Sequence, residues 1–271
     1  MLLRRCLMNW FLIMLAIALV VSAIGFYKYV YFISLGYGFS IAAIGIASLI
    51  AFSGNIDALG IIICLLLFIY GNRLSGYLLI RELKSSTYNK KMKGEISDGK
   101  NMKFPIKLAI WITCALLYAC QTAPVYFRLN ESSGAKVSLI IGILIMAFGV
   151  TFETIADIQK NNAKKLNPNT FVSTGLFKIV RCPNYLGEMI FWTGVFISGI
   201  GAFTSVLGWI LSLLGYLGII YVMFSGARRL EIRQNKHYGE DPAYREYVKT
   251  TPIMVPFIPL YSVEKHKWLV G

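Results

Sequence analysis

The sequence predicts an all-α fold, a polytopic bundle of about seven membrane-spanning helices embedded in a lipid bilayer. Three observations predict it. Of the 271 residues, 56% are hydrophobic and only 15% charged, against roughly 25% charged in an ordinary soluble domain. The deficit is uneven, because long apolar runs alternate with short basic patches. The ionisable groups also gather in two loops and a tail that the span count places on one face. A soluble fold could not cover this much apolar surface, and the length suits one domain over 1–271.

In chain order, Met1–Arg5 and the apolar run behind it resemble a signal sequence. No small-residue cleavage site closes the run and more spans follow, so it reads as the first membrane helix. The expected spans are Trp10–Tyr27, Tyr31–Phe52, Ala58–Ile80, Phe104–Tyr126, Val137–Ile155, Tyr185–Gly199 and Thr204–Phe224. Each approaches the roughly 20 apolar residues needed to cross hydrocarbon, or falls short where interfacial groups flank it. Gly199 and Gly201 split the last apolar stretch into a hairpin of two helices. Ser85–Asn101 reads as a mobile polar loop, and the tail from Tyr261 as loosely ordered.

Loop charge sets the expected orientation. The loop Arg81–Lys103 holds Arg81, Lys84, Lys90, Lys91, Lys93, Lys100 and Lys103, whereas Phe127–Lys136 holds only Arg128 and Lys136. The first loop is therefore expected in the cytoplasm, with Asp157–Arg181 and the C-terminal tail on the same side. Seven spans then place the N-terminus outside, while Arg4 and Arg5 pull the other way, so its orientation stays open. The formal charge of +14 follows mainly from the Lys and Arg bias of short cytoplasmic loops. Nucleic acid is not an expected partner, because the basic residues sit at helix ends rather than on a soluble face. The five cysteines form no CxxC pair and there are two histidines, which supports neither a zinc site nor a disulfide framework.

Four constellations carry candidate chemistry. Tyr70, Arg73, Tyr77 and Arg81 recur at helical spacing and share one face of the third span. Arg73 lies inside the apolar run, where it either faces a polar site or snorkels to the interface. Glu153, Asp157, Lys160 or Asn161, and Lys164 recur at helical spacing; they read as a salt-bridged helix end or as ligand contacts, with Asp157 accepting from a sugar or amide and Lys164 on a phosphate. In Arg181-Cys182-Pro183-Asn184-Tyr185-Leu186-Gly187-Glu188, Pro183 suits the first turn of a helix. Asn184, Glu188 and Trp192 then fall four apart on one face, an amide, a carboxylate and an indole aligned as in a ligand pocket. Last, Arg228, Arg229, Glu231, Arg233, His237, Tyr238, Tyr244 and Tyr247 compose an expected interfacial amphipathic helix.

The order TGLF, RCPNYLGE, Trp192, then ARRLE and HYGEDPAYREYVKTTP resembles the steroid 5-alpha-reductase family, in particular its prokaryotic-type members. RLSGYLLIRE at Arg73–Glu82 is similar to that branch too, and sterol reductases carry a related RHPNYLG segment. The likeness covers about 68–260, with 104–260 as its reductase-like region. It implies a seven-helix membrane reductase that takes hydride from NADPH on the cytosolic face and a lipid-like enone or steroid-like substrate from the bilayer. It carries Asp157, Lys164, Asn184, Tyr185, Glu188 and Trp192 over to the cofactor. Arg228, Arg229, His237 and Tyr238 carry over to the segment that closes on the nucleotide. Tyr70 carries over to the substrate-polarising tyrosine, with Arg73 beside it.

Two departures stand out. Cys182 replaces the usual histidine of RHPNY, which removes any role for an imidazole there. The first 80 residues contain one acid, Asp57, so the family's early glutamate partner of the tyrosine has no counterpart. Two other classes compete with the reductase. Isoprenylcysteine carboxyl methyltransferases, which use S-adenosylmethionine, share an RHPxYLG-like segment. Asn184 and the Arg73–Glu82 segment weigh against them. A non-enzymatic lipid-binding protein is the third class. The membrane is a bacterial inner membrane or endoplasmic reticulum, and the sequence names no substrate.

Overall fold

The computed structural model describes residues 2–84, 102–131 and 136–270. Among these residues the regular elements are all helical: α1 (Leu2–Ser22), α2 (Leu35–Ala51), α3 (Ala58–Lys84), α4 (Phe104–Asn130), α5 (Lys136–Leu166), α6 (Pro183–Ile200), α7 (Val206–Tyr238) and α8 (Pro242–Thr250). Short 3-10 turns cover Ala23–Phe26, Tyr29–Phe32 and Gly175–Lys178. Five stretches are long and apolar enough to cross a membrane, Tyr29–Ala51, Ala58–Leu83, Phe104–Asn130, Lys136–Leu166 and Val206–Tyr238. The apolar part of the first helix, Trp10–Phe26, and the 18-residue α6 are shorter. The expected loop Ser85–Asn101 lies outside the described residues.

The predicted span ends fall short of the helices. α5 runs past Ile155 to Leu166, so Asp157, Lys160 and Lys164 lie on a helix, as their spacing predicts, and the helix extends further than the expected span. Nothing in that polar extension breaks a helix before Pro168, whose ring disfavours helical backbone at Asn167. α7 likewise continues through Arg228 to Tyr238, which corrects the expected interfacial helix starting at Arg228: only α8 is separate. Gly239 ends α7, and α8 starts with Asp241 accepting from the Ala243 amide at 2.8 Å and Pro242 in its first turn.

The chain divides into two compact units. In the first, residues 1–143 and 195–215, small residues let α2 and α3 touch. A Cβ on Gly71 would lie 2.1 Å from the Gly38 carbonyl, and one on Gly45 would lie 2.9 Å from the Cys64 carbonyl. Such close backbone approach is how membrane helices associate without a hydrophobic driving force between them. Ser75 Oγ donates at 3.1 Å towards the Ser34 and Leu35 carbonyls across the same seam. A similar contact occurs at Pro124, which cannot donate to the Cys120 carbonyl within α4. Gly215 of α7 comes against that carbonyl, where a Cβ would be 2.4 Å away. At one end Trp10 packs on Phe52 and Tyr126. At the other, Tyr31 donates to Glu82 at 2.6 Å and Lys28 pairs with the same carboxylate oxygen.

In the second unit, residues 144–194 and 216–271, α5 and α6 cross at glycines. A Cβ on Gly187 would meet the Glu153 backbone at 2.7 Å, and one on Gly149 the Phe191 nitrogen at 2.5 Å. Phe171 packs against Tyr244 and Tyr247, and Tyr247 donates to the Phe177 carbonyl at 2.7 Å, fixing α8 against the segment before α6. The C-terminal tail is ordered, contrary to the loose ending expected from sequence. Val263 and Leu269 are buried, and the Val263 amide donates to Glu231 Oε2 at 2.8 Å.

Candidate functional site

Each unit holds part of the expected machinery. In the first, Tyr70 is fully buried on α3. Its hydroxyl lies 3.0 Å from that of Tyr37 on α2, and the Tyr37 ring packs at 5.1 Å on Tyr118 of α4. Tyr118 donates to the Phe32 carbonyl at 2.6 Å. Tyr70 therefore belongs to a cluster of phenols inside an apolar bundle. Arg73, one turn further along, is half-buried, and Arg81 lies over the Tyr77 ring at 5.5 Å. Glu82 is the nearest acid along α3, but 12 residues of helix put it about 18 Å from Tyr70. Engaged with Tyr31 and Lys28, it is not positioned as a partner of Tyr70. Tyr37 went unnoticed in the sequence; a tyrosine between two glycines in an apolar span was the available signal.

In the second unit, Pro183 opens α6, and Asn184, Glu188 and Trp192 follow on one face. Trp192 and Glu188 are buried and Asn184 is half-buried. Asn184 Oδ1 is shut off from solvent with no hydrogen-bond partner among the described residues. An unsatisfied buried acceptor of this kind costs about 1–3 kcal/mol, and a ligand donor would remove that cost. Tyr185 lies between these positions with its ring 3.5 Å from where a Gly226 Cβ would stand on α7. The charges of Arg229, Glu188 and Arg233 reach its hydroxyl, which brings Tyr185, Glu188 and Arg229 into one neighbourhood. Ser225 Oγ, one residue before Gly226, is a second buried oxygen with no partner among the described residues.

The remaining candidates divide. Lys164 donates to the Tyr238 hydroxyl at 2.9 Å and sits over its ring, and His237 packs edge-on against Tyr238 at 4.6 Å. Asp157 is half-buried on α5, four residues beyond the buried Glu153. Arg228 is engaged by the tail, donating to the Glu264 carbonyl at 2.9 Å and the Leu269 carbonyl at 3.2 Å. These donors are thus taken up by backbone oxygens of the tail.

Three charged residues named in the sequence constellations without a catalytic or cofactor role are buried in the frame of the second unit. Arg181 and Glu231 form an ion pair at 2.7 Å with side chains 2% and 1% exposed. Arg181 also donates to the Tyr261 carbonyl, so the pair ties α7, the start of α6 and the tail together. Glu153, buried where α5 crosses α6, is the third. Its helical spacing with Asp157, near the end of the expected span Val137–Ile155, was the sequence signal for it. Cys182, next to Arg181, is buried, and burial pushes its thiol up to about 11, with the Arg181 charge opposing. At neutral pH it is a protonated thiol and no nucleophile. Among the described residues no group of acids, histidines and cysteines could hold a metal ion.

A family model described as "Protein of unknown function (DUF1295)" matches residues 19–251. The match covers most of the chain, which therefore belongs to that family. No curated protein and no solved structure matches the chain.

Proposed function

We propose that this member of the family is a membrane-embedded reductase that uses NADPH to saturate a carbon–carbon double bond conjugated to a carbonyl in a lipid-like substrate. The observation that carries the reading is the α6 face of Asn184, Glu188 and Trp192, with an acceptor on Asn184 that has no partner among the described residues and basic groups on both flanking helices. The resemblance of RCPNYLGE and its flanking segments to the steroid 5-alpha-reductase family supports it. The residues present fit a pyridine dinucleotide. Asn184 Oδ1 would accept from a carboxamide, Trp192 would wall an aromatic ring, and Arg229, Arg233 and Lys160 would meet phosphates as charge-assisted donors. When bound, NADPH supplies the hydride, which is chemistry that no side chain provides.

The chain's own work is binding, orientation and charge. Glu188 orients the α6 end of the site. Lys164 and Tyr238, already bonded to each other, hold the ribose-phosphate end. Reduction puts negative charge on the substrate carbonyl oxygen, and a preorganised donor in a dry place stabilises that charge best. Tyr70 is assigned that donation, with Arg73 one turn away to favour it electrostatically. Tyr37 replaces the missing glutamate as the group that fixes the Tyr70 hydroxyl. The proton that completes the saturated product comes from solvent, so the balance is enone plus NADPH plus a proton to saturated ketone plus the oxidised cofactor.

The test is thermal unfolding of the detergent-purified chain with NADPH, NADH and S-adenosylmethionine, in wild type, Asn184→Ala and Glu188→Ala. A ligand at 100 times its dissociation constant stabilises by about 2.7 kcal/mol. Stabilisation by NADPH, reduced in both variants, is the expected result. Stabilisation by S-adenosylmethionine alone would replace the reductase with a methyltransferase. No shift with any of the three in folded protein would leave a non-enzymatic lipid binder.

A further inference from the structure

The C-terminal segment after α8 carries large apolar side chains outward on a framework built to hold it still. Phe257 is 98% exposed, and Ile258, Tyr261, Trp268 and Val270 are exposed as well. Phe257 has φ +66°, a left-handed backbone that a bulky aromatic rarely adopts. Pro256 and Pro259 flank it. The loop is closed by the Ile253 amide donating to the Leu260 carbonyl at 2.8 Å. Its base is fastened to the start of α6, since the Arg181 and Cys182 amides donate to the Pro252 and Ile253 carbonyls at 2.9 Å. Ile253 and Met254 are buried beneath it. A loop anchored this firmly holds Phe257 and Ile258 away from the protein by construction.

What covers them follows from where the same tail goes next. Trp268 packs on Tyr221 at 6.1 Å, and the Tyr221 hydroxyl donates to the Trp268 carbonyl at 3.0 Å. Tyr221 lies within the candidate membrane span Val206–Tyr238. It is seven residues, about 10 Å, on the apolar side of Arg228, the first charge of that helix. Arg228 in turn holds the tail carbonyls of Glu264 and Leu269. The tail is thus strapped to α7 at the level where its apolar surface gives way to charge. Exposed Tyr and Trp beside Lys265 and Lys267 compose the mixture that occupies the headgroup layer. Glu264, the one acid from Pro252 onward, is bonded to Asn235.

From this juxtaposition we infer that the segment Phe257–Val270 is an interfacial anchor, with Phe257, Ile258 and Val270 immersed in the lipid surface and Lys265 and Lys267 among the headgroups. The anchor holds the α7 exit and the Arg181–Glu231 pair at a fixed depth. It stands whether or not the chain is a reductase.

Nitroxide labels at Phe257→Cys, Val270→Cys and, as an aqueous control on α8, Glu246→Cys would be read in lipid nanodiscs, with the unsubstituted chain labelled in parallel as background. All three sites are exposed, so the fold should survive labelling, and melting would confirm it. The expected result is that dissolved oxygen relaxes the labels at 257 and 270 more than a water-soluble nickel chelate does, with the order reversed at 246. Equal behaviour at all three sites would overturn the inference. So would spin–spin broadening at 257, which would show a second copy of the chain covering the loop.

Discussion

Arg181→Leu offers the sharpest test of how the second unit is held. The guanidinium is bonded to Glu231 at 2.7 Å, with both side chains almost fully buried, and to the Tyr261 carbonyl. Removing it leaves the Glu231 carboxylate in a protein interior with one partner among the described residues, the Val263 amide at 2.8 Å. Breaking one half of a buried ion pair costs about 3–5 kcal/mol, because a charge remains without compensation. At roughly 2–4 °C per kcal/mol for a chain of this size, the apparent melting temperature should fall by about 10 °C. The double variant Arg181→Met/Glu231→Leu should recover much of the loss, since an apolar pair of similar volume is often neutral. Melting of purified protein in detergent is the assay, alongside trypsin cleavage at Lys265 and Lys267, which should accelerate when the tail is released. A melting point within about 1 °C of wild type and unchanged cleavage would refute the claim that this pair fastens the tail.

Other consequences follow from particular contacts. Gly71→Ala places a methyl 2.1 Å from the Gly38 carbonyl. It should destabilise the α2–α3 pair by about 1–3 kcal/mol in a melting assay, whereas Gly54→Ala, where a Cβ meets nothing within 4 Å, should change little. Cys182, raised to about 11 by burial, should hold roughly 0.1% of its sulfur as thiolate at pH 8, against about a quarter for an ordinary thiol. Iodoacetamide should therefore label it hundreds of times more slowly than a free thiol until the chain is unfolded. Asp57 is held below its usual value by the Gly60 amide and then by Lys136. Its contribution is complete above the ordinary carboxylate range and is lost as pH falls through the depressed value. Lys136→Met should shift that loss towards higher pH in an acid-unfolding titration. Tyr70→Phe should lower turnover of an enone by about 10²–10³-fold, as expected for loss of one charge-stabilising donor. Tyr37→Phe should lower it less, with melting of both variants near wild type.

The helical, membrane-embedded character was legible because apolar runs are long and charges collect between them. The α6–α7 hairpin was legible because Gly199 and Gly201 interrupt the last run. Helix ends were not, since α5 and α7 leave the apolar layer without any residue that stops a helix before Pro168 and Gly239. The order of the tail was hidden for a different reason. It depends on Arg181 and Glu231, which are 50 residues apart and meet only when α6 and α7 are in place. The alignment of Asn184, Glu188 and Trp192 followed from helical spacing once Pro183 marked the start. The pairing of Tyr37 with Tyr70 is a product of the Gly38–Gly71 crossing, and no local pattern reports a crossing.

The central claim is hydride transfer, and isotope transfer tests it most directly. The purified chain in nanodiscs would be given NADPH deuterated on the transferred position of the nicotinamide, S-adenosylmethionine with a deuterated methyl group, a host lipid extract and a panel of lipid-like enones. The reductase account predicts products that gain two hydrogens, one of them deuterium from NADPH, and no product when Tyr70→Phe and Glu188→Ala are combined. A product carrying the labelled methyl group, or no labelled product from chain that is folded by its melting curve, would contradict it.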